Sequence, residues 1–164
     1  MATITLQGNQ IHTNGALPEV GGKAPDFRLV DKDLANRSLA DYAGKKKLLD
    51  IVVALDTSIC EISANKFNEY AKTHPDTVVL VISADLPATS GRVCANMDSV
   101  VTLSMMRDRN FAKDYGILIT DGPLEGITAR SVVALDADDK VLYTQLVPEI
   151  AQEPDYDAAI AALD

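Results

Sequence analysis

Leu48-Leu49-Asp50-Ile51-Val52-Val53-Ala54-Leu55 runs directly into Asp56-Thr57-Ser58-Ile59-Cys60, and the reading of this stretch decides the fold. Its first part is a nearly continuous apolar run, the pattern of a strand buried on both faces of a sheet. Ile59, Ile62, Phe67, Tyr70 and Ala71 then recur at roughly helical spacing until His74-Pro75 closes the helix. A second apolar run, Thr77-Val78-Val79-Leu80-Val81-Ile82-Ser83, supplies another central strand. Strand, helix and strand in this order predict an α/β domain, with a cysteine on the first turn of its first helix.

Working outward, Thr3 to Leu6 and Gln10 to Thr13 read as a hairpin around Gly8-Asn9, followed by a Gly/Pro-rich loop from Gly15 to Pro25. Residues 1–18 are therefore expected to be a β-hairpin appendage on a single domain spanning 1–164. Asp26 to Val30 is predicted as a strand. Leu86-Pro87 opens a helix through Arg92, Val93 and Cys94, weakened by Thr89, Ser90 and Gly91. Val100 to Leu103 is a short strand and Arg109 to Tyr115 a short helix stopped by Gly116. Ser131 to Leu135 and Val141 to Leu146 form a hairpin over the turn Asp136-Ala137-Asp138-Asp139, and Tyr156 to Leu163 is the last helix. The order points to a mixed central sheet covered by helices, a thioredoxin-like fold. A flavodoxin-like sheet is the alternative, in which the late hairpin sits awkwardly.

Composition narrows the function. The chain has 164 residues and a formal net charge of −9, with no basic run interleaved with aromatics. Nucleic-acid and anionic-membrane binding are disfavoured. Without a signal-like N-terminus or a membrane-length apolar run, the expectation is a cytoplasmic protein. His12 and His74 have no ligand-spaced partners, so no metal or other cofactor is implied. The two cysteines, Cys60 and Cys94, form no CxxC and are too few for a disulfide scaffold.

Ser58-Ile59-Cys60-Glu61 has the pattern of a capping box, with Thr57 as the competing N-cap. At least one of the two hydroxyls is expected to cap the helix. Either choice puts Cys60 in the first turn, where unpaired N–H groups and the helix dipole favour a thiolate. Ionisation alone is worth little: a thiol of pKa ~8.5 is about 3% thiolate at pH 7, so complete ionisation gains about thirtyfold, or ~2 kcal/mol. Glu61 opposes it, so a cation from elsewhere in the chain is needed. On position alone, a small buried hydrophobe remains the commoner reading of Cys60, and more so of Cys94.

Beyond these local features the chain resembles the thiol peroxidase branch of the peroxiredoxins, atypical two-cysteine enzymes of bacteria. The resemblance rests on Leu55-Asp56-Thr57-Ser58-Ile59-Cys60, Lys66-Phe67-Asn68, and Ile82-Ser83-Ala84-Asp85-Leu86-Pro87 with Cys94 beyond it. Asp121-Gly122-Pro123-Leu124, Ala129-Arg130, Gln145-Leu146-Val147 and Glu153-Pro154-Asp155-Tyr156 extend it along the chain. It implies a thioredoxin fold with an N-terminal β-hairpin, a homodimer, and reduction of hydrogen peroxide and organic hydroperoxides at the expense of thioredoxin. By position Cys60 matches the peroxidatic cysteine, Cys94 the resolving cysteine, Thr57 the active-site threonine and Arg130 the arginine beside the thiolate. A Cys60-Cys94 disulfide is implied in the same way, and it requires Cα atoms within about 4.4–6.8 Å, hence local unwinding of one helix.

One position departs from the family pattern. The signature PxxxTxxC has proline where this chain has Val53, which restores a backbone N–H and is expected to let the strand continue. The rival reading is accordingly a weakly active or non-catalytic thioredoxin-like redox sensor.

Overall fold

In the computed structural model, which describes residues 1–164, seven strands form one sheet in the order β4-β3-β7-β6-β5-β8-β9. These are β3 (Leu29–Val30), β4 (Asn36–Arg37), β5 (Lys46–Ile51), β6 (Thr77–Ser83), β7 (Val100–Ser104), β8 (Ser131–Leu135) and β9 (Val141–Leu146). A separate hairpin pairs β1 (Thr3–Leu6) with β2 (Asn9–His12). β5, β6 and β7 run parallel, whereas β8 is antiparallel to β5 and β9 to β8. The sheet is thus mixed, and the late hairpin occupies one edge, where no crossover is needed.

β5 lies between β6 and β8, and Leu48, Leu49 and Ile51 are completely buried there, as the continuous apolar run requires. Helix α1 (Ser58–Lys72) packs on β6 and β7, and α4 (Tyr156–Leu163) packs on β8 and β9 and touches α1. The α1–α4 contact includes an edge-to-face pair, Phe67 and Tyr156, with ring centroids 5.4 Å apart. α2 (Pro87–Val93) rests on β7, and α3 (Asn110–Asp114) is a single short turn. The one buried lysine, Lys47, ends on the Asp139 carboxylate at 2.5 Å, so a charge in the central strand is compensated by the β8–β9 turn.

Several boundaries differ from the sequence reading. The strand predicted over Asp26–Val30 shrinks to Leu29–Val30, because the Asp26 carboxylate turns to accept from the backbone N–H groups of Phe27 and Leu39. The first hairpin turns at Gln7-Gly8, both with positive φ (51° and 81°), one residue earlier than expected. Strand β4 and the short 3₁₀ helix Leu39–Tyr42 carry too little periodicity to be read from sequence.

Most consequential is the end of β5. The strand stops at Ile51 and does not continue to Leu55, although Val53 has an N–H to offer. Val52 makes one last ladder bond to Ile82 O (2.9 Å). The chain then turns away, held by the Asp85 carboxylate on Leu55 N–H (2.7 Å) and by the Thr128 hydroxyl on Val52 O (3.1 Å). Val53 N–H has no protein acceptor. The turn that proline would enforce is therefore made here by side chains.

Candidate active site

Helix α1 starts with Thr57 at the N-cap, in extended conformation, and its first intrahelical bond is Glu61 N–H to Thr57 O at 2.9 Å. Ser58, Ile59 and Cys60 are consequently the first three helical residues, whose N–H groups have no carbonyl four residues back. The expected side-chain cap is absent from both Thr57 and Ser58. The Thr57 hydroxyl instead donates to Ala54 O at 3.0 Å, bracing the turn between β5 and α1. With its proton so committed, its oxygen faces the site's chemistry as an acceptor only.

Cys60 is fully buried, and one guanidinium nitrogen of Arg130 donates to its sulfur at 3.0 Å. An arginine stays protonated at any accessible pH, so the partner it favours is the thiolate. Arg130 is itself only 4% exposed, and its Nε donates to Ile150 O at 2.9 Å. A cation from a distant part of the chain thus stands where the local sequence demanded one, fixed by a backbone carbonyl.

Cys94 occupies a different environment at the C-cap of α2, with its N–H on Ser90 O at 2.9 Å. Burial first, and then the negative charges of Asp50, Glu61 and Asp85, push its thiol up. No cation touches it. The two thiols are both free and are chemically unlike, one facing a guanidinium and one held neutral. A cleft of about 680 Å³ opens beside Cys94, bounded by Tyr42, Ser90, Met97 and Val100, and neither Cys60, Thr57 nor Arg130 lines it. Cys94 is therefore the thiol that a large reagent meets from outside. On the surface above, Arg92 and Asp56 pair at 2.9 Å and join the segment carrying Cys94 to the one carrying Cys60.

Three of the four expected residues, Cys60, Arg130 and Thr57, are placed around the start of α1, and Cys94 lies on the neighbouring helix. The sequence reading assigned no role to Asp50 or Ser63. Ser63 Oγ is 3.1 Å from Asp50 Oδ2 and 3.0 Å from Cys60 O, all three buried. The available signal was an acidic residue in the middle of an apolar strand.

A thiol peroxidase of Leptospira interrogans is 48% identical over 99% of this chain and 97% of its own. The redoxin family profile matches residues 19–160. The chain belongs to the thiol peroxidases of the redoxin family. A peroxiredoxin-like protein from Aquifex aeolicus superposes with a TM-score of 0.91 at 36% identity, over 99% of this chain and 96% of that one. A thiol peroxidase from Chromobacterium violaceum gives 0.88 at 25% identity, covering 98% and 94%. The fold is thus the thioredoxin-like peroxiredoxin fold, and this thiol peroxidase carries it with Val53 at the signature proline position. No helix is long and apolar enough to cross a membrane.

Proposed function

We propose that this peroxiredoxin reduces hydrogen peroxide and alkyl hydroperoxides at Cys60, with Cys94 as the resolving thiol and thioredoxin as the reductant. The observation that supports this most is the 3.0 Å contact between Arg130 and the Cys60 sulfur at the start of α1. The thiolate attacks one peroxide oxygen, the O–O bond breaks, and the other oxygen leaves as water or alcohol after taking up the peroxide's proton. Cys60 becomes a sulfenate, which takes up one proton from solvent to give the sulfenic acid. Arg130 carries the positive charge that favours electron density moving onto the leaving oxygen, and the Thr57 oxygen accepts the O–H of the bound peroxide. Cys94 then attacks the sulfenic sulfur, releasing water and forming the Cys60-Cys94 disulfide, which a dithiol reductant opens by exchange.

Cys94 sits on the least helix-favouring element, beside the cleft, which suits a thiol that must travel and then be reached by a protein reductant. The functional unit we propose is a homodimer, to be checked by light scattering. Peroxide consumption coupled to thioredoxin and its reductase tests the whole reading: steady turnover is expected, and none in Cys60→Ser. A redox sensor would instead be oxidised once and stop.

A further inference from the structure

Asp50 is 1% exposed in the middle of β5, and its side chain reaches one polar group, the Ser63 hydroxyl. That hydroxyl has a single hydrogen and lies within bonding distance of two acceptors, Asp50 Oδ2 at 3.1 Å and Cys60 O at 3.0 Å. Only one of them can receive it at a time. With Asp50 ionised, the Ser63 hydrogen turns to the carboxylate and the Cys60 carbonyl loses that bond. With Asp50 protonated, its own O–H donates to Ser63 Oγ, and Ser63 passes its hydrogen to Cys60 O. The α1 first turn is then tied to β5 through a continuous chain of hydrogen bonds.

We propose that Asp50 is a positioning residue for the proposed peroxidatic reaction, setting through Ser63 both the anchoring of the Cys60 turn and the share of the Arg130 charge available to the sulfur. The protonated form leaves the guanidinium undivided and the turn fastened, the arrangement suited to peroxide attack. The ionised form adds a negative charge beneath the site and frees the turn, the arrangement suited to the movement that disulfide formation needs.

The surroundings of Asp50 make both forms accessible near neutrality. Burial pushes its carboxyl up to about 7, against the opposing pull of the Ser63 hydrogen bond and the Arg130 charge. Ser63 of α1 bonds it, and the ionisable groups within reach of its charge are Arg130 ahead of β8, Cys94 at the end of α2 and Tyr156 at the start of α4. Tyr156 is bonded to Glu153 and lies under Lys66, whose nitrogen is 4.7 Å from the ring centroid. The strand neighbours of Asp50, Val81 and Val132, carry no charge.

The test uses a Cys94→Ser background, so that Cys60 alone reports, and follows its alkylation by iodoacetamide across neutral pH. The parent should show two ionisation steps. In Asp50→Asn, which cannot ionise, one step should remain and the profile should move to lower pH. In Ser63→Ala the carboxylate loses its donor, so the second step should move to higher pH. This second variant decides the matter if Asp50→Asn does not fold. Parent and variant profiles that superimpose would overturn the proposal. Peroxide oxidation of the same proteins is measured in parallel: alkylation profiles that shift as described while peroxide leaves Cys60 untouched would uphold the Asp50 coupling and refute the peroxidase mechanism.

Discussion

Ile150 and Thr5 are joined by a 2.9 Å hydrogen bond from the Ile150 N–H to the Thr5 carbonyl, and Thr5 N–H answers to Pro148 O at 2.8 Å. The next group along, Ile150 C=O, is the acceptor for Arg130 Nε. The N-terminal hairpin is a separate sheet, yet through Ile150 it supports the guanidinium that faces Cys60. Glu149 fastens the same junction. Its carboxylate accepts from the Thr5 hydroxyl and from the N–H groups of Gln7, Gly8 and Ala151, and these bonds, Thr5 first, hold it down to about 2.

Glu149→Ala should therefore slow peroxide attack several-fold while leaving α1 intact, measured by stopped-flow oxidation of Cys60 alongside circular dichroism. The sign of the acid dependence follows from a depressed carboxyl: the stabilisation is present above the unfolded value of about 4.3 and is lost as pH falls through about 2. Amide exchange at Gln7 and Gly8 should rise over that window before the sheet unfolds. Unchanged exchange would detach Glu149 from the hairpin's stability.

Arg130→Lys should not rescue Arg130→Ala. A lysine is a point charge and cannot bond Ile150 O and the Cys60 sulfur together through a planar fork. Both variants should lose about 10²–10³-fold in the rate of peroxide attack, the cost typical of removing one donor that stabilises charge in the transition state. Single-turnover oxidation measures this directly, and a lysine variant close to the parent rate would show that charge alone suffices.

Buried Asp50 makes stability fall with rising pH. Its carboxyl is raised to about 7 in the folded protein and lies at about 3.9 when unfolded, so between those values the folded state binds the extra proton. Unfolding free energy should drop by about 1.4 kcal/mol per pH unit across that window and level off above it. Urea melts as a function of pH should show this slope in the parent and a flatter profile in Asp50→Asn. Equal slopes would mean that burial is relieved on ionisation.

Gly91 lies inside α2 without a positive φ, and a Cβ added there meets no atom within 4 Å. Gly91→Ala should stabilise the helix by up to about 1 kcal/mol. If α2 unwinds to bring Cys94 to Cys60, disulfide formation should slow by about fivefold while sulfenate formation is unchanged. Quenched-flow mass spectrometry separates the two steps. A bridge that forms at the parent rate would assign the movement to the first turn of α1.

Val53→Pro should fold normally, because the Val53 N–H that proline removes bonds to nothing and the strand has already ended at Ile51. A thermal melt within a few degrees of the parent is expected, and a large loss would show that the turn held by Asp85 and Thr128 is incompatible with the ring.

Much of this architecture was legible along the chain because its cause is local. The apolar run at Leu48, the helical spacing from Ile59 to Ala71 and the turn at Asp136 to Asp139 each carry their periodicity or turn chemistry within a few residues. The first-turn position of Cys60 follows from the same local order, and the shared segments around Thr57, Cys94 and Arg130 carry the family. Short elements such as β4 were not legible, since two residues contain no period. The capping box failed for another reason: the helix starts one residue earlier than the box requires, with Thr57 as N-cap and Ser58 already inside the first turn, and the Thr57 side chain is turned toward Ala54 O.

What the sequence alone determined, then, is a thioredoxin-like chain order with a cysteine at a helix start, and a need for a cation that Glu61 could not meet. Only the folded structure decided which atoms meet that need, because Arg130 reaches Cys60 through the pairing of β5 with β8 and is aimed by a carbonyl that the N-terminal hairpin holds. It alone also placed the Asp50 carboxylate, by way of Ser63, beneath the turn that carries the reactive sulfur. Such contacts join residues far apart in the chain, and their energies depend on burial and distance, which no local pattern encodes.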